Sequence, residues 1–379
     1  MGFAEFVGND RVVSVLRRML ARDRIPGTLL FEGQQGVGKF TLATLFVRAA
    51  LCEARRDDFC GECATCRPLA ALDDLSALIR QARDERGRSD PEEVPLLLQP
   101  HPDVTVLVPD PTYIRMGQMR AVRRLSHSAA SRGRRFVILD QAERLRVEFA
   151  GTLLKVLEEP PAGAHFLLLT HAPFELPSTV RSRAVPLGFA PLPREAIEQY
   201  LAKHRPKMPK KDRVLSAAVA AGSLGTALGL DLERYHQVRE AALSYLGVAA
   251  GQQGNPSELF RATAELSGRS RRGQEEEPGG ARAEFEFSLG VLYSLLSDVL
   301  YLKARAAGLG LHNPDVQTEL GHLMGRIEWG WIASKVSGLD RIERGLRRNL
   351  NRQLALDSLA LADLPAEIEV TSEPVGASQ

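Results

Sequence analysis

The sequence lacks the features that would place the chain in a membrane or outside the cell. No apolar run approaches the roughly 20 residues that a transmembrane helix needs, and the N-terminus lacks the basic and then apolar layout of a signal peptide. The net charge is only +2, so any contact with nucleic acid has to come from a local basic patch. These absences favour a cytoplasmic protein, and its 379 residues suffice for two or three domains.

Cysteine is scarce, and its positions are Cys52, Cys60, Cys63 and Cys66, all in one short segment. Two residues separate each of the last three from the next, a spacing with which thiolates surround one tetrahedral metal ion. In a reducing cytoplasm a metal site is favoured over disulfides. We predict structural zinc, because Gly61 suits a short knuckle. An iron–sulfur cluster and four unrelated buried thiols are the alternatives.

A glycine-rich segment, Gly33 to Thr41, follows the apolar run Thr28 to Phe31 and precedes a stretch with helical spacing. Strand, glycine loop, lysine and helix form the P-loop arrangement, in which backbone N–H groups and the lysine bind phosphate oxygens. The pattern needs a Ser or Thr after Lys39 to bind magnesium, but Phe40 stands there. Thr41 comes one residue later, where its hydroxyl should point elsewhere on the helix. We therefore predict a nucleotide loop that has lost a metal ligand.

A second apolar run, Phe136 to Leu139, ends in Asp140. This pattern predicts a buried parallel strand that delivers a carboxylate to magnesium. In an active ATPase of this type a glutamate follows and polarises the attacking water. Here the next residue is Gln141, whose amide cannot accept a proton, and Glu143 should lie on the wrong side of the turn. Thr170 ends a further predicted strand and should face the loops where ligands bind.

Taken in order, these motifs resemble the AAA+ clamp-loader family of bacterial DNA polymerase III. Three short motifs add to the P-loop, the cysteine segment and the Asp140 strand: His101-Pro102-Asp103, Leu153 to Pro160, and Ser182-Arg183. The family's form of the second motif is Leu-Leu-Lys-Thr-Leu-Glu-Glu-Pro, and Val156 replaces its Thr. The third is Ser-Arg-Cys in the family, and Ala184 replaces its Cys. The resemblance covers roughly the first half of the chain, and motifs in this order are hard to obtain by chance.

The resemblance implies an α/β P-loop AAA+ core, with a parallel sheet flanked by helices and a zinc knuckle, followed by a helical lid and a helical collar. The expected domains are residues 1–189 with the zinc module at 52–66, 190–234 for the lid, 235–370 for the collar, and a disordered tail over 371–379. The collar suits oligomerisation, although its apolar stripes equally suit a core of its own.

Spacing within these domains gives further expectations. Asn9 should cap the first helix, and Leu346, Leu350 and Leu354 fall at four-residue steps. The remaining predictions are helices over 215–230, 285–306 and 341–361, and loops over 82–99 and 267–283.

The resemblance also implies roles for single residues. Arg183 corresponds to the arginine finger that reaches into the ATP site of a neighbouring subunit, and Thr170 corresponds to the sensor position. Gly225 stands where the family's ATPase subunits carry a second sensor arginine. The predicted nucleotide-binding residues are Gly33, Gly36, Gly38, Lys39, Thr41, Asp140 and Thr170.

An ATPase subunit needs a P-loop Ser or Thr, a catalytic glutamate and a second sensor arginine. Here those positions hold Phe40, Gln141 and Gly225. Arg183, which would act at another subunit's site, is kept. The resemblance therefore implies a non-hydrolysing component of the DNA polymerase holoenzyme that binds ATP or ADP, if at all, without turnover. Its implied partners are the gamma/tau ATPase subunits and the delta subunit in a hetero-oligomer, with the sliding clamp and primed DNA reached through the complex. No membrane partner is expected.

Two other functions remain as hypotheses. The first is a working ATPase in which Thr41 and Glu143 replace the missing groups. The second is a zinc-bearing DNA-binding protein outside replication that uses a cluster of basic residues. That cluster comprises Arg120, Arg123, Arg124, Arg132, Arg134 and Arg135. On charge alone, a solvated helix and loop explains the cluster more simply.

Overall fold

The computed structural model describes residues 2–54, 58–127, 130–131, 133–251, 256–268, 280–306, 310–346 and 350–362. The chain divides into two compact units, each formed by two segments. The first unit comprises Met1–Tyr200 and Ala221–Leu228, and the second comprises Leu201–Ala220 and Gly229–Gln379. The predicted division into core, lid and collar stays a prediction.

The first unit contains all the described strands and the helices around them. The strands are β1 Thr28–Glu32, β2 Leu98–His101, β3 Val104–Leu107, β4 Arg135–Leu139, β5 Ala164–Thr170 and β6 Val185–Gly188. The helices up to β6 are α1 Asp10–Ala21, α2 Lys39–Leu51, α3 Cys66–Leu69, α4 Leu75–Arg86, α5 Met116–His127, α6 Val147–Glu158 and α7 Ser178–Arg181. Helix α8 Arg194–His204 follows β6.

The strands form one sheet in the order β2-β3-β4-β5-β1-β6. All neighbours pair in parallel except β2, which pairs antiparallel with β3 at one edge. Alternate residues of a strand face opposite sides of the sheet. Leu29 and Phe31 therefore join the core beneath α1 and α2, while Leu30 joins the core beneath α5 and α6. Burial on both faces explains the continuous apolar runs and confirms the predicted α/β class.

The second unit is helical in its described residues. Its helices are α9 Lys210–Val219, α11 Leu232–Ala249, α12 Pro256–Leu266, α13 Gly280–Lys303, α14 Gln317–Met324, α15 Trp329–Gly345 and α16 Arg352–Leu361, while α10 Leu224–Gly229 falls largely in the first unit. One continuous core joins them, with Tyr235, Tyr245 and Phe285 as its largest buried side chains. The helical character of this half of the chain is as predicted.

Helix α13 is long and apolar enough to cross a membrane by length and composition. This feature was not predicted from the sequence. Half of its most apolar window is buried within the protein. Phe285, Leu289 and Leu292 belong to the core of the second unit. This burial is what a core helix of a helical domain shows.

Several expectations about local structure were wrong in the first unit. The segment 82–99 is not one loop, because α4 continues to Arg86 and β2 begins at Leu98. Between them, Leu96 is buried and holds the segment against the sheet. Asn9 does not cap α1 with its side chain; its amide instead donates to the carbonyl of Ala190 and accepts from the N–H of Ala190.

Two predicted helices are interrupted. A turn separates α9 from α10, because Ala221 and Gly222 both adopt positive φ angles, of 48° and 90°. The helix expected over 341–361 is also broken, since α15 ends at Gly345 and α16 begins at Arg352. Leu350 and Leu354 are consequently exposed. Most of the predicted loop 267–283 and the predicted tail 371–379 lie outside the described residues.

Candidate functional site

The P-loop forms between the end of β1 and the start of α2. Its lysine lies back over the loop, with Lys39 Nζ 2.7 Å from the carbonyl oxygen of Gly33 and 2.8 Å from that of Gln34. These two bonds hold the ammonium group beside the loop amides, where phosphate oxygens bind in a P-loop. Burial lowers the pKa of Lys39, and the carboxylates of Asp140 and Glu143 partly offset this effect.

A pocket of about 330 Å³ opens beside this loop. Its polar lining residues include Lys39, Thr41, Asp140, Gln141 and Thr170. Its apolar and aromatic lining residues include Phe6, Val7, Leu192, Tyr200, Leu224 and Leu228. The sheet brings the polar groups at the strand ends together because β1, β4 and β5 are parallel neighbours and end at the same edge. A pocket lined by both kinds of residue can take a phosphate-bearing ligand with an apolar part.

Thr41 and Phe40 both line the pocket. The direction of the Thr41 hydroxyl stays a prediction. The third predicted element of the site, Asp140, is the carboxylate at the end of β4, and burial raises its pKa to about 6. A buried carboxylate of this kind gains from a cation, which is the role predicted for it.

Glu143 lies in a short turn after β4 and is buried against the tip of β5. Thr170 Oγ1 donates to Glu143 Oε2 at 2.6 Å, and His171 Nδ1 lies 2.9 Å from Glu143 Oε1. Burial alone would raise the pKa of Glu143, but the bonds to His171 and Thr170 outweigh it and lower the pKa. One oxygen of this carboxylate is thus hydrogen-bonded to the hydroxyl of the predicted sensor residue, and the other lies beside His171 without a hydrogen bond.

His171 was not singled out from the sequence. It follows Thr170 directly, lines the pocket and faces Glu143. Its place after a predicted strand tip was the available signal, because ligand-binding side chains collect there in parallel sheets.

Helix α10 begins directly against the P-loop. The N–H of Gly225 donates to the carbonyl oxygen of Gly36 at 2.8 Å. A Cβ on Gly225 would lie 3.0 Å from Gly36 Cα, and a Cβ on Gly36 would lie 2.2 Å from Ser223 Oγ. The φ of +74° at Gly36 therefore favours glycine there, whereas a side chain at position 225 would require Gly36 to shift by a few tenths of an ångström. The backbone of the P-loop thus lies against position 225, which the sequence analysis predicted to correspond to a sensor arginine.

Arg183 lies outside the pocket, just after α7. Its Nη2 atom pairs with Glu158 Oε1 at 2.7 Å, and its Nη1 atom donates to the carbonyl of Thr179 at 2.9 Å. The side chain is 36% exposed. The pairing partner Glu158 ends α6, within the Leu153 to Pro160 motif. Arg183 is therefore on the surface and is not among the residues that line the P-loop pocket.

The motif His101-Pro102-Asp103 lies at the start of β3. Asp103 is fully buried and accepts hydrogen bonds from the N–H and the hydroxyl of Ser131. Arg135 Nη2 lies 3.4 Å from the same carboxylate. Burial raises the pKa of Asp103, but the bonds from Ser131 outweigh it, so the net pKa is lowered. The motif ties β3 to the loop that precedes β4.

The four cysteine side chains converge at the predicted metal site. Their sulfur atoms all lie within 4.8 Å of one another. Four thiolates at about 2.3 Å from a zinc ion lie about 3.8 Å apart, and Cys60 Sγ and Cys66 Sγ are 4.0 Å apart. Burial alone would raise the pKa of Cys63, but hydrogen bonds to its sulfur lower it to about 6. The donor set and its spacing fit one tetrahedral ion, and residues 55–57 of the module lie outside the described ranges.

Several DNA polymerase III subunits are similar in sequence to this chain. Residues 8–193 match the family model described as DNA polymerase III, delta subunit. The DNA polymerase III subunit delta' of Bacillus subtilis is 29% identical over 192 residues, which is 50% of each protein. That of Pseudomonas aeruginosa is 32% identical over 203 residues, covering 52% of this chain and 53% of the relative.

The other class of relative extends further along the chain. The DNA polymerase III subunit tau of Salmonella typhimurium is 29% identical over 322 residues, covering 81% of this chain and 45% of the relative. The chain thus spans about half the length of the curated relatives it matches. Identity alone does not separate the two classes of relative, because it is similar for both.

Proposed function

We propose that this chain, which belongs to the bacterial DNA polymerase III clamp-loader family, is a delta-prime subunit that does not hydrolyse ATP. In this proposal it assembles with gamma/tau ATPase subunits and a delta subunit in the cytoplasm. It presents Arg183 to the nucleotide site of the adjacent ATPase subunit, and the assembly places a sliding clamp on primed DNA.

The observation that carries the proposal is the contrast between Arg183 and the chain's own pocket. Arg183 is exposed, and its guanidinium contacts Glu158, the carbonyl of Thr179 and, at 3.4 Å, the hydroxyl of Ser182. A guanidinium in that state can exchange a carboxylate for the phosphate of a neighbour, with bidentate geometry. In phosphoryl transfer such an arginine contributes about 10³- to 10⁵-fold in rate.

The pocket supports the other half of the proposal. The side chain of Phe40 offers no oxygen to magnesium, and Gln141 is no base. One oxygen of Glu143 is hydrogen-bonded to Thr170, and the other lies beside His171. Lys39 and the loop amides can still bind phosphate. We therefore propose that ATP or ADP binds here without turnover.

The test uses an assembly in which only the ATPase subunit beside this chain can hydrolyse ATP. With wild-type chain, clamp and primed DNA should stimulate turnover. With Arg183→Ala we expect turnover to fall about 10³-fold, and Arg183→Lys should restore little, because lysine lacks the planar fork. Arg22→Ala, an exposed arginine after α1, is the matched control. Unchanged turnover with Arg183→Ala would rule out the proposed role.

The second candidate is an ATP-hydrolysing subunit of the gamma/tau type. It is favoured by the position of Thr41 in the pocket and by the longer match to tau. Turnover by the isolated chain that disappears with Lys39→Ala would establish this alternative and contradict the first proposal.

We also propose that the metal at the cysteine cluster is zinc. Four thiolates without histidine or carboxylate favour a closed structural site, and the ion would add folding free energy that the apo module lacks. Metal analysis of purified chain should give about one zinc per chain. Iron with sulfide would identify a cluster instead.

A further inference from the structure

Helix α2 joins the P-loop to the four-cysteine cluster. Lys39 is its first residue, and Cys52 directly follows its last residue, Leu51. The two ends are about 18 Å apart, because each helical residue rises about 1.5 Å. The N–H of Cys52 still bonds to the carbonyl of Ala49, at 3.4 Å. The first cysteine is therefore fixed to the end of the same helix that begins in the P-loop.

Arg48, in the last turn of α2, connects the helix to the cysteine segment. The residue is only 4% exposed. Its Nη2 atom donates to the carbonyl of Leu69 at 2.7 Å and to Asp73 Oδ1 at 2.8 Å. Its Cζ atom lies 5.4 Å from the centre of the Phe59 ring. This buried charge has no part in the proposed function.

The contacts of Arg48 lie on both sides of the cysteine cluster in the sequence. Phe59 directly precedes Cys60, and Leu69 ends helix α3, which begins at Cys66. One planar guanidinium therefore holds the segment before the cluster and the segment after it. Positioning of this kind, by a residue outside the ligand set, determines how well the ligand atoms are placed for a metal ion.

The same contacts relate the metal to the end of the helix. Thiolates repel one another when no cation lies between them, so the cysteine segment is held most firmly when a metal ion is bound. If that segment moves away, Arg48 loses the Leu69 carbonyl and the Phe59 ring. A buried charge without partners is costly. The last turn of α2 then has to rearrange.

The opposite end of α2 holds the phosphate-binding loop. The N–H of Leu42 donates to the carbonyl of Gly38 at 2.9 Å, and Lys39 bonds to two carbonyls of the loop. Every residue from Leu42 to Ala49 is buried. A closely packed interior transmits strain instead of absorbing it. A displacement at the C-terminal end of this helix is therefore passed on to Lys39.

We propose that Arg48 is a positioning residue that couples the cysteine cluster to the P-loop, so that metal binding at one end of α2 fixes the loop at the other. The inference rests on the proposed zinc and nucleotide binding, but it requires neither Arg183 nor hydrolysis. Because such coupling is reciprocal, a nucleotide at the P-loop also strengthens metal binding. The metal thus acts on the nucleotide pocket as well as on its own segment.

The first test measures zinc affinity by competition between the full chain and a chromophoric chelator. Arg48→Met keeps much of the side-chain volume and removes the guanidinium. We expect zinc to bind this variant about 10- to 100-fold more weakly, the usual effect of removing a group that positions metal ligands. Arg67→Met is the matched control, because Arg67 is an exposed arginine beside Cys66. Equal zinc affinities of the two variants would overturn the inference and leave the zinc proposal intact.

The second test measures hydrogen exchange by mass spectrometry, on zinc-loaded chain and on chain treated with a chelator under reducing conditions. Peptides over 39–43 and over 45–52 should both exchange about tenfold faster without zinc. Peptides over β4 should be unchanged, which shows that the sheet stays folded. In Arg48→Met, exchange over 39–43 should no longer depend on zinc. Unchanged exchange over 39–43 in the wild-type chain would contradict the coupling.

The third test measures ADP affinity by calorimetry, without magnesium because the chelator also binds it. Removal of zinc should weaken ADP binding about fivefold in the wild-type chain, the lower end of common coupling factors, and should have no effect in Arg48→Met. Equal ADP affinity of the zinc-loaded and zinc-free wild-type chain would overturn the effect on the pocket.

These outcomes are distinguishable from failure of the proposed function. If the zinc-loaded chain does not bind ADP at all, the proposed nucleotide binding fails, and hydrogen exchange still decides whether Arg48 couples the metal to the loop. The role of Arg183 is measured by turnover of the neighbouring subunit, so it stands or falls separately.

Discussion

The P-loop pocket and the surface around Arg183 differ in how their polar groups are used. In the pocket, Lys39 bonds to its own loop, and Glu143 is engaged by Thr170 and His171. Around Arg183, an ion pair to Glu158 and hydrogen bonds to the Thr179 carbonyl and the Ser182 hydroxyl hold an exposed guanidinium. A polar group satisfied inside the fold is costly to redirect, whereas an exposed pair is easily exchanged. Under the proposed function, the exposed arginine would act on another subunit although the chain's own site does not hydrolyse ATP.

Among these predictions, the largest effect is expected from Lys39→Ala in the P-loop. Removing a charge-assisted phosphate contact should weaken nucleotide binding to the isolated chain about 10- to 100-fold. It should leave the turnover of the neighbouring ATPase subunit within about twofold, since Arg183 is untouched. Isothermal titration calorimetry and the assembly assay give the two readouts. Lys203→Ala on α8 is the control. A strong fall in ATP turnover by the neighbouring subunit with Lys39→Ala would show that the P-loop and Arg183 do not act independently.

A second prediction concerns the packing of α10 on the P-loop. Gly225→Ala would place a methyl group 3.0 Å from Gly36 Cα and 3.1 Å from its carbonyl oxygen. Overpacking against backbone should lower the free energy of unfolding by about 1–3 kcal/mol and speed amide exchange over 223–228. Gly229→Ala, at the end of the same helix with nothing within 4 Å, should have no such cost. Equal behaviour of the two variants in denaturant melts would contradict the tight contact.

The third prediction follows from the pKa of Asp140. Burial raises it to about 6, so the carboxylate that a cation needs forms as the pH rises through that value. Magnesium-dependent nucleotide affinity should therefore be about fourfold weaker at pH 5.5 than at pH 7.5. The ratio of affinities with and without magnesium measures this. In Asp140→Asn the ratio should no longer change with pH; if it still does, another group is responsible.

The smallest effect is expected from Glu158→Gln, which releases Arg183 from its ion pair. Exposed pairs are worth less than about 1 kcal/mol, so neighbour turnover should rise about twofold because the guanidinium no longer has to leave a carboxylate. Glu159→Gln, one residue farther along, is the control. A strong loss of turnover would mean that Glu158 orients Arg183. The ion pair between them would then not be readily exchanged.

The sequence predicted those features whose pattern is local. The strands β1, β4 and β5 follow from apolar runs buried on both faces, and the convergence of the loop with Asp140 and Thr170 follows from parallel pairing. The four cysteines were found by spacing alone. These features can be predicted without knowing which distant residues are in contact, so the sequence was sufficient.

The features that were missed depend on turns and on distant partners. β2 is short and polar and exists because it pairs with the edge of β3. The break before α10 uses a positive φ at Ala221, which no residue preference predicts. Glu143 seemed misplaced two residues after Gln141, but Gln141 also has a positive φ, of 51°, and the following turn directs Glu143 toward Thr170.

The hydrogen bond between Gly225 and Gly36 also bears on evolutionary history. A side chain can be restored by a single substitution when its place is left open. Here the backbone of Gly36 lies 3.0 Å from where a Cβ at position 225 would be, so any side chain at 225 would carry a packing cost. Under the proposed function, an arginine at this position could be regained only together with a small shift of the P-loop backbone.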